Sequence, residues 1–311
     1  MKFVITGGLG FIGYNVVKLL EDLGHTCYVL DIEHNYQNSA AMFIERKKLV
    51  QSNIINIDIR NRDDLYNFFQ NVRPDIVINL ASYPNQRAVE SNPAEATDVM
   101  ILGLLNLITV SNQFPVKRFV HVSSSMVYGN FVNGVDETAV CNPVGQYGIL
   151  KLAGEQLVKQ YLHQYTIIRP SAVYGELDVE DRVISKFITN VLKGIPLEIN
   201  GPTEVMDFTH VSDTARGIVE ASLFDHAPKN TYNITCSKDP YSLVDVAKIV
   251  IRHAGKGSYV IKNKSANMPS RGLLSTENAR TDFGYESTVT VEEGVRRYYD
   301  WYLQNPTLWG G

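Results

Sequence analysis

The chain has 311 residues, 44% hydrophobic and 20% charged, enough for one large or two modest domains with a sizeable core. A net charge of -4 gives no electrostatic reason to expect nucleic acid or an anionic membrane as a partner. No apolar run reads as a bilayer span, and no metal-ligand spacing such as His-Glu-x-x-His occurs among the seven histidines, so neither a membrane nor a metal site is expected.

The three cysteines, Cys27, Cys141 and Cys236, lie far apart with no Cys-x-x-Cys, and read as reduced thiols of a cytoplasmic protein. Met1-Lys2 runs straight into Phe3-Val4-Ile5, so no signal peptide is expected. Residues 2–6 read as a buried strand, ending in Gly7-Gly8-Leu9-Gly10-Phe11-Ile12-Gly13. A helix follows over 11–23, with Ile12, Val16, Leu19, Leu20 and Leu23 on its core face. Strand 27–30 then ends in Asp31. Strand, glycine turn, helix, strand, acid is the pattern of a dinucleotide site, and each part has a physical task. Gly7 allows the tight turn, Gly10 leaves room for a pyrophosphate, and Gly13 lets helix and strand pack closely. The helix N-terminus offers free N–H groups to the phosphates. Asp31 stands where a carboxylate accepts from ribose hydroxyls, and no arginine follows until Arg46, which favours NAD over NADP.

A third strand is expected over 53–57. Asp58 at its end suits an adenine amino group, or equally the N-cap region of the next helix. A fourth strand over 74–81 ends in Leu80-Ala81-Ser82, small enough for close approach of a cofactor. A long helix over 94–113 shows an apolar face at Val99, Leu102, Leu105 and Ile108. A fifth strand over 119–122 ends in Ser123-Ser124-Ser125, which on their own read as a turn cluster. Tyr147 and Lys151 then stand four apart on a helix, on one face. A free phenol has a pKa of about 10, and lowering it by roughly 3 units takes about 4 kcal/mol, which a partly desolvated ammonium supplies. By itself the pair fits an amphipathic helix with a surface lysine equally well.

After Tyr174-Gly175 the alternation weakens. Residues 176–181 read as a charged loop, 182–192 as a helix stopped at Gly194, and 197–199 as a short strand before the turn at Asn200-Gly201-Pro202. A helix follows over 212–223 and a strand over 232–234. Ser242 suits an N-cap, with Asp245 at the third helical position.

Taken together, the chain resembles the extended short-chain dehydrogenase/reductase superfamily, and within it the NAD-dependent nucleotide-sugar epimerase/dehydratase branch typified by UDP-glucose 4-epimerase. The motifs run in family order over nearly the whole chain. They are the glycine turn, Asp31, Asp58, Leu80-Ala81, Ser123 to Gly129, Tyr147-x-x-x-Lys151, Arg169 to Gly175, Asp207 to Asp213, and Glu293-Gly294-Val295-Arg296. The resemblance implies an α/β fold, a Rossmann doubly wound parallel sheet with a smaller interleaved C-terminal substrate-binding lobe. The NAD-binding domain would span 1–170, with 207–225 packed back on it, and 171–311 would mainly hold the nucleotide sugar.

It implies catalytic roles for Ser124, Tyr147 and Lys151. Cofactor contacts carry over to Gly7, Gly10, Phe11, Ile12, Gly13, Asp31, Asp58, Ile59, Leu80, Ala81, Ser82, Val122, Tyr147, Lys151 and Pro170. Substrate contacts carry over to Tyr83, Arg87, Ser124, Ser125, Met126, Tyr147, Ala172, Arg182 and Arg271, the last at a position that commonly meets the diphosphate. A solvated loop arginine is the alternative reading of Arg271. The implied partner is a UDP-sugar, the implied assembly a homodimer through the helices from 94 and 148.

The chain departs from the branch at several places. Dehydratases carry Asp-Glu after the catalytic hydroxyl residue, where this chain has Ser125-Met126; a methionine is no general acid or base. Met100, Ala172 and Met206 stand where Asn, Asn and Arg are usual. The expected activity is therefore an NAD-dependent 4-epimerase passing through a 4-keto sugar. A dehydrogenase, 4-ketoreductase or decarboxylase using the same triad is the alternative, as is a non-catalytic NAD-binding regulator.

Overall fold

A computed structural model describes residues 1–33, 40–178, 182–225, 229–238, 240–263 and 269–308. In the first half, β1 (Lys2–Thr6), α1 (Phe11–Asp22), β2 (Thr26–Leu30), α2 (Ala40–Leu49), β3 (Asn53–Ile55), α3 (Arg62–Val72) and β4 (Ile76–Asn79) alternate regularly. Two short helices follow, α4 (Gln86–Ser91) and α5 (Pro93–Thr97), then a π-helical segment (Asp98–Gly103), α6 (Leu104–Gln113), β5 (Arg118–Val122), α7 (Gln146–Tyr161) and β6 (Tyr165–Pro170). The second half adds β7 (Val173–Tyr174), α8 (Val183–Leu192), β8 (Leu197–Asn200), β9 (Val205–Met206), β10 (Thr209–His210), α9 (Val211–Leu223) and β11 (Lys229–Ile234). It closes with β12 (Tyr241–Ser242), α10 (Leu243–Ala254), β13 (Tyr259–Lys262), α11 (Glu277–Phe283) and α12 (Val291–Gln304).

The main sheet has the order β3-β2-β1-β4-β5-β6-β11, with every pairing parallel. Buried on both faces, its central strands carry continuous apolar runs such as Phe3-Val4-Ile5 and Val77-Ile78. One face packs on α3, α6 and α7; the other packs on α1 and α9 through Val16, Val17, Leu20, Ile218 and Val219. Strand order reverses outward from β1, so a crevice opens at the carboxyl ends of β1 and β4. Residues from the second half, α9 and β11, complete this layer. A separate core joins α8, α10 and α12 through Ile188, Val246, Val250, Val295 and Tyr298.

Several element boundaries differ from expectation. The third strand stops at Ile55, because the Ile57 amide turns back to the Ile55 carbonyl at 3.0 Å. The fourth spans only Ile76–Asn79. Leu23 lies outside α1 and is 53% exposed, while Val17 takes the core position. The expected helix over 94–113 is interrupted: the π turn shifts the apolar register, so Leu102 faces outward and Met100, Leu104 and Leu107 are buried. Against expectation, the stretch Pro93–Gln113 is long and apolar enough to cross a membrane; 56% of its 18-residue apolar window is buried inside the protein, as in a core helix. Arg182 caps α8 rather than opening it. Residues 179–181 of the expected charged loop lie outside the described residues.

Candidate active site

A cavity of about 260 Å³ lies at the carboxyl ends of the strands. The glycine turn forms its floor. Gly7 has φ +67°, and a Cβ there would stand 2.8 Å from the Ala81 amide nitrogen. A Cβ on Gly13 would meet the Gly7 carbonyl at 2.3 Å. Gly10 is the N-cap of α1 and brings no side chain to it, which leaves the first amides of the helix for an anion.

Asp31 stands beside this turn. Its Oδ2 accepts from the Leu9 amide and its Oδ1 from the Glu33 amide, each at 3.0 Å. Burial pushes its carboxyl above the ordinary range, against the pull of those amides and of Arg46. Asp58 also lines the cavity and grips Arg60, with Oδ2 2.6 Å from a guanidinium nitrogen. Burial pushes Asp58 up, but Arg60 outweighs it and holds the carboxyl low. The N-cap of α3 is Asn61, which accepts from the Asp63 and Asp64 amides. A glycine cradle, a helix start and a carboxylate at the far end together fit a dinucleotide such as NAD.

At the other end, Ser124 caps the 3₁₀ turn Ser125–Tyr128 and accepts from the Met126 amide at 3.2 Å. Tyr147 lies in the first turn of α7, where its amide donates to Gln86 Oε1 at 2.9 Å. Lys151, one turn on, donates to the Val122 carbonyl at 2.9 Å, with its Nζ 5.8 Å from the Tyr147 ring centre. Burial pushes the Tyr147 phenol above its usual value; the Arg182 charge and a hydrogen bond with Ser124 pull it back. Burial brings Lys151 down to about 8, with Glu155 opposing. Two cations therefore stand at Tyr147, Arg182, whose charge lowers the phenol, and Lys151, whose ammonium lies over the ring while donating to the Val122 carbonyl.

The cavity wall brings together every expected cofactor position, including Phe11, Ile12, Ile59, Leu80, Ala81, Ser82, Val122 and Pro170. Among the expected substrate contacts, Tyr83, Ser124, Tyr147, Ala172 and Arg182 line it too. Arg87, Ser125, Met126 and Arg271 do not. Arg87 is exposed on α4. Ser125 turns inward and donates to Ser171 Oγ at 3.1 Å. Met126 and Arg271 meet each other, with NH1 3.9 Å from Sδ. Two charged wall residues escaped the sequence reading as site residues, Arg46 and Asp178. Arg46 was visible only as the first arginine after Asp31. Asp178 carried no sequence signal beyond its place in a charged loop. Met100 lies behind Lys151, beside Asn79 and His121.

A model of the "NAD dependent epimerase/dehydratase family" matches residues 3–235. A UDP-glucuronate 4-epimerase of Thermodesulfobacterium geofontis is 29% identical, covering 98% of this chain and 97% of that one. A dTDP-glucose 4,6-dehydratase of Neisseria meningitidis is 27% identical, covering 99% and 95%. The crystal structure of UDP-glucuronic acid 4-epimerase from Bacillus cereus, in complex with UDP-glucuronic acid and NAD, superposes with a TM-score of 0.89 at 26% identity, covering 98% of this chain and 100% of that one. Since the family match runs through every wall of the cavity, the chain belongs to the NAD dependent epimerase/dehydratase family and takes NAD as its cofactor.

Proposed function

We propose that the chain is an NAD-dependent nucleotide-sugar 4-epimerase acting on a UDP-sugar. The observation that carries this is the convergence of Ser124, Tyr147, Lys151 and Arg182 on the cavity that begins at the glycine turn. Bound NAD supplies the two-electron acceptor that takes hydride from C4 of the sugar and later gives it back. Tyr147, as phenolate, removes the O4 proton in the first half and returns it in the second. Ser124 donates a hydrogen bond to the same oxygen as it becomes a carbonyl. Lys151 and Arg182 hold negative charge on Tyr147. The 4-keto sugar turns over between the halves, so that hydride returns to the opposite face.

Met126 and Ser125 support epimerase over dehydratase, since neither offers the acid-base pair that elimination toward C6 needs. The UDP preference rests on the relatives' substrates. We further assign 1–170 with 207–225 to NAD and the rest of 171–311 to the nucleotide sugar. We infer a homodimer joined at the helices bearing Leu102 and Ile149, which are 48% and 53% exposed. The free cysteines support a cytoplasmic location. The test is incubation with UDP-, GDP-, dTDP- and CDP-sugars, followed by NMR and absorbance at 340 nm. Interconversion of C4 epimers without net NADH supports the epimerase. A stoichiometric rise in NADH points to a dehydrogenase instead.

A further inference from the structure

Arg46, on α2, carries a full charge yet is only 2% exposed. Its Nε donates to the Leu9 carbonyl at 2.8 Å, and its NH1 donates to the Leu177 carbonyl at 2.7 Å. Leu9 belongs to the glycine turn, and its amide is the one held by Asp31. Leu177 follows β7, in the second half of the chain. One guanidinium therefore ties together two segments on either side of the cavity, and Arg46 itself lines that cavity with Asp31 and Asp178.

Two independent observations agree. Leu177 has φ +65°, a left-handed conformation that a leucine keeps only where its surroundings hold it. The bond from Arg46 lands on its carbonyl. Met42, one turn before Arg46, is 1% exposed and packs in the second core with Leu177 and Tyr298, whereas its neighbour Phe43 packs on the first. Helix α2 thus belongs to the first half by sequence and to both halves by packing.

We infer that Arg46 is a positioning residue that retains NAD through turnover, by clamping the glycine turn to the Leu177 segment across the cofactor's exit. An enzyme that lends hydride and takes it back must not lose its cofactor between the two halves. Opening the cavity along this seam breaks at least one of the two charge-assisted hydrogen bonds and leaves a buried guanidinium short of an acceptor. Arginine's planar fork serves two acceptors at once, and lysine's single ammonium does not reproduce it. The retention role rests on the proposed return of hydride from bound NAD, whereas the release measurement requires only that NAD occupy the cavity.

The experiment is stopped-flow release of bound NADH, read by its fluorescence on chasing with excess NAD, in wild type, Arg46→Lys and Arg46→Met. Binding rates are measured in parallel, and circular dichroism confirms that each variant is folded. A clamp predicts release at least tenfold faster in Arg46→Met and at least threefold faster in Arg46→Lys, with binding rates changed less than threefold. If Arg46→Met does not fold, Arg46→Lys decides. Wild-type release from folded Arg46→Lys would overturn the inference. So would a defect confined to the binding rate, which is the signature of direct phosphate contact.

Discussion

Arg169 and Glu155 form a buried bidentate pair, Nε to Oε1 at 2.9 Å and NH2 to Oε2 at 2.6 Å, with side chains 2% and 0% exposed. Glu155 lies one turn beyond Lys151 on α7 and also accepts from Ser123 Oγ at 2.6 Å. Arg169 donates to the Tyr128 hydroxyl at 2.9 Å, and Tyr128 in turn donates to Asn233. The pair pins the helix that carries Tyr147 to β6, and the Ser123 bond ties the same carboxylate to the segment after β5 that carries Ser124. Breaking such a pair leaves an uncompensated buried charge. Glu155→Gln and Arg169→Met are each expected to cost about 3 to 5 kcal/mol in urea unfolding, with the Glu155→Met/Arg169→Met double variant recovering most of that loss.

Stability should fall on the acid side through His121. Burial, with Lys151 nearby, takes its pKa from the usual histidine value down to about 3. Its Nδ1 lies 3.2 Å from Asn79 Nδ2, and the ring stays neutral in the fold. Below about pH 6.5 the unfolded chain takes up a proton that the folded chain does not. Stability present above pH 6.5 is therefore lost toward pH 3, at about 1.4 kcal/mol per unit from this group. Urea titrations of the cofactor-free protein should show a shallower acid slope in His121→Gln than in wild type.

Ala172 has φ +39°, on the cavity wall. A left-handed alanine costs about 1 to 2 kcal/mol, and glycine's greater freedom when unfolded offsets roughly 0.5 to 1 of the relief. Ala172→Gly is expected to stabilise the protein by about 0.5 to 1 kcal/mol in urea unfolding. Asparagine, usual here in the branch the chain resembles, also tolerates this conformation, so Ala172→Asn should be no less stable than wild type.

Asp31→Asn removes the charge while keeping an acceptor for the Leu9 amide. Hydrogen bonds to a charged group contribute about 1.5 to 3 kcal/mol. NAD binding measured by calorimetry should weaken about 10- to 100-fold, while unfolding of the cofactor-free protein changes little. An unchanged affinity would remove Asp31 from the ribose.

What was legible in the sequence is what local chemistry dictates. The Ser242 and Asp245 capping box forms as their spacing requires, with both reciprocal bonds present. The glycine turn and Asp31 meet because strand, turn and helix are contiguous. What was not legible depends on distance or on a small phase shift. Arg46 and Leu177 stand 131 residues apart, and no periodicity links them. The π turn at Asp98–Gly103 cannot be told from α by composition, yet it turns Leu102 outward. Arg87 lies close in sequence to Tyr83, but α4 carries it to the surface. Glu155 left a usable trace: an acid one turn after Lys151 on a face that must be buried.

The most direct measurement follows deuterium at C4 of a UDP-hexose, by NMR of the product, with wild type and Tyr147→Phe. A 4-epimerase returns the label to C4 of the epimer without net NADH, and Tyr147→Phe should lower the rate by about 10²- to 10⁴-fold, the usual contribution of a positioned acid-base group. Label at C6, label left in NADH, or a Tyr147→Phe variant as fast as wild type would contradict reversible oxidation at C4 through Tyr147.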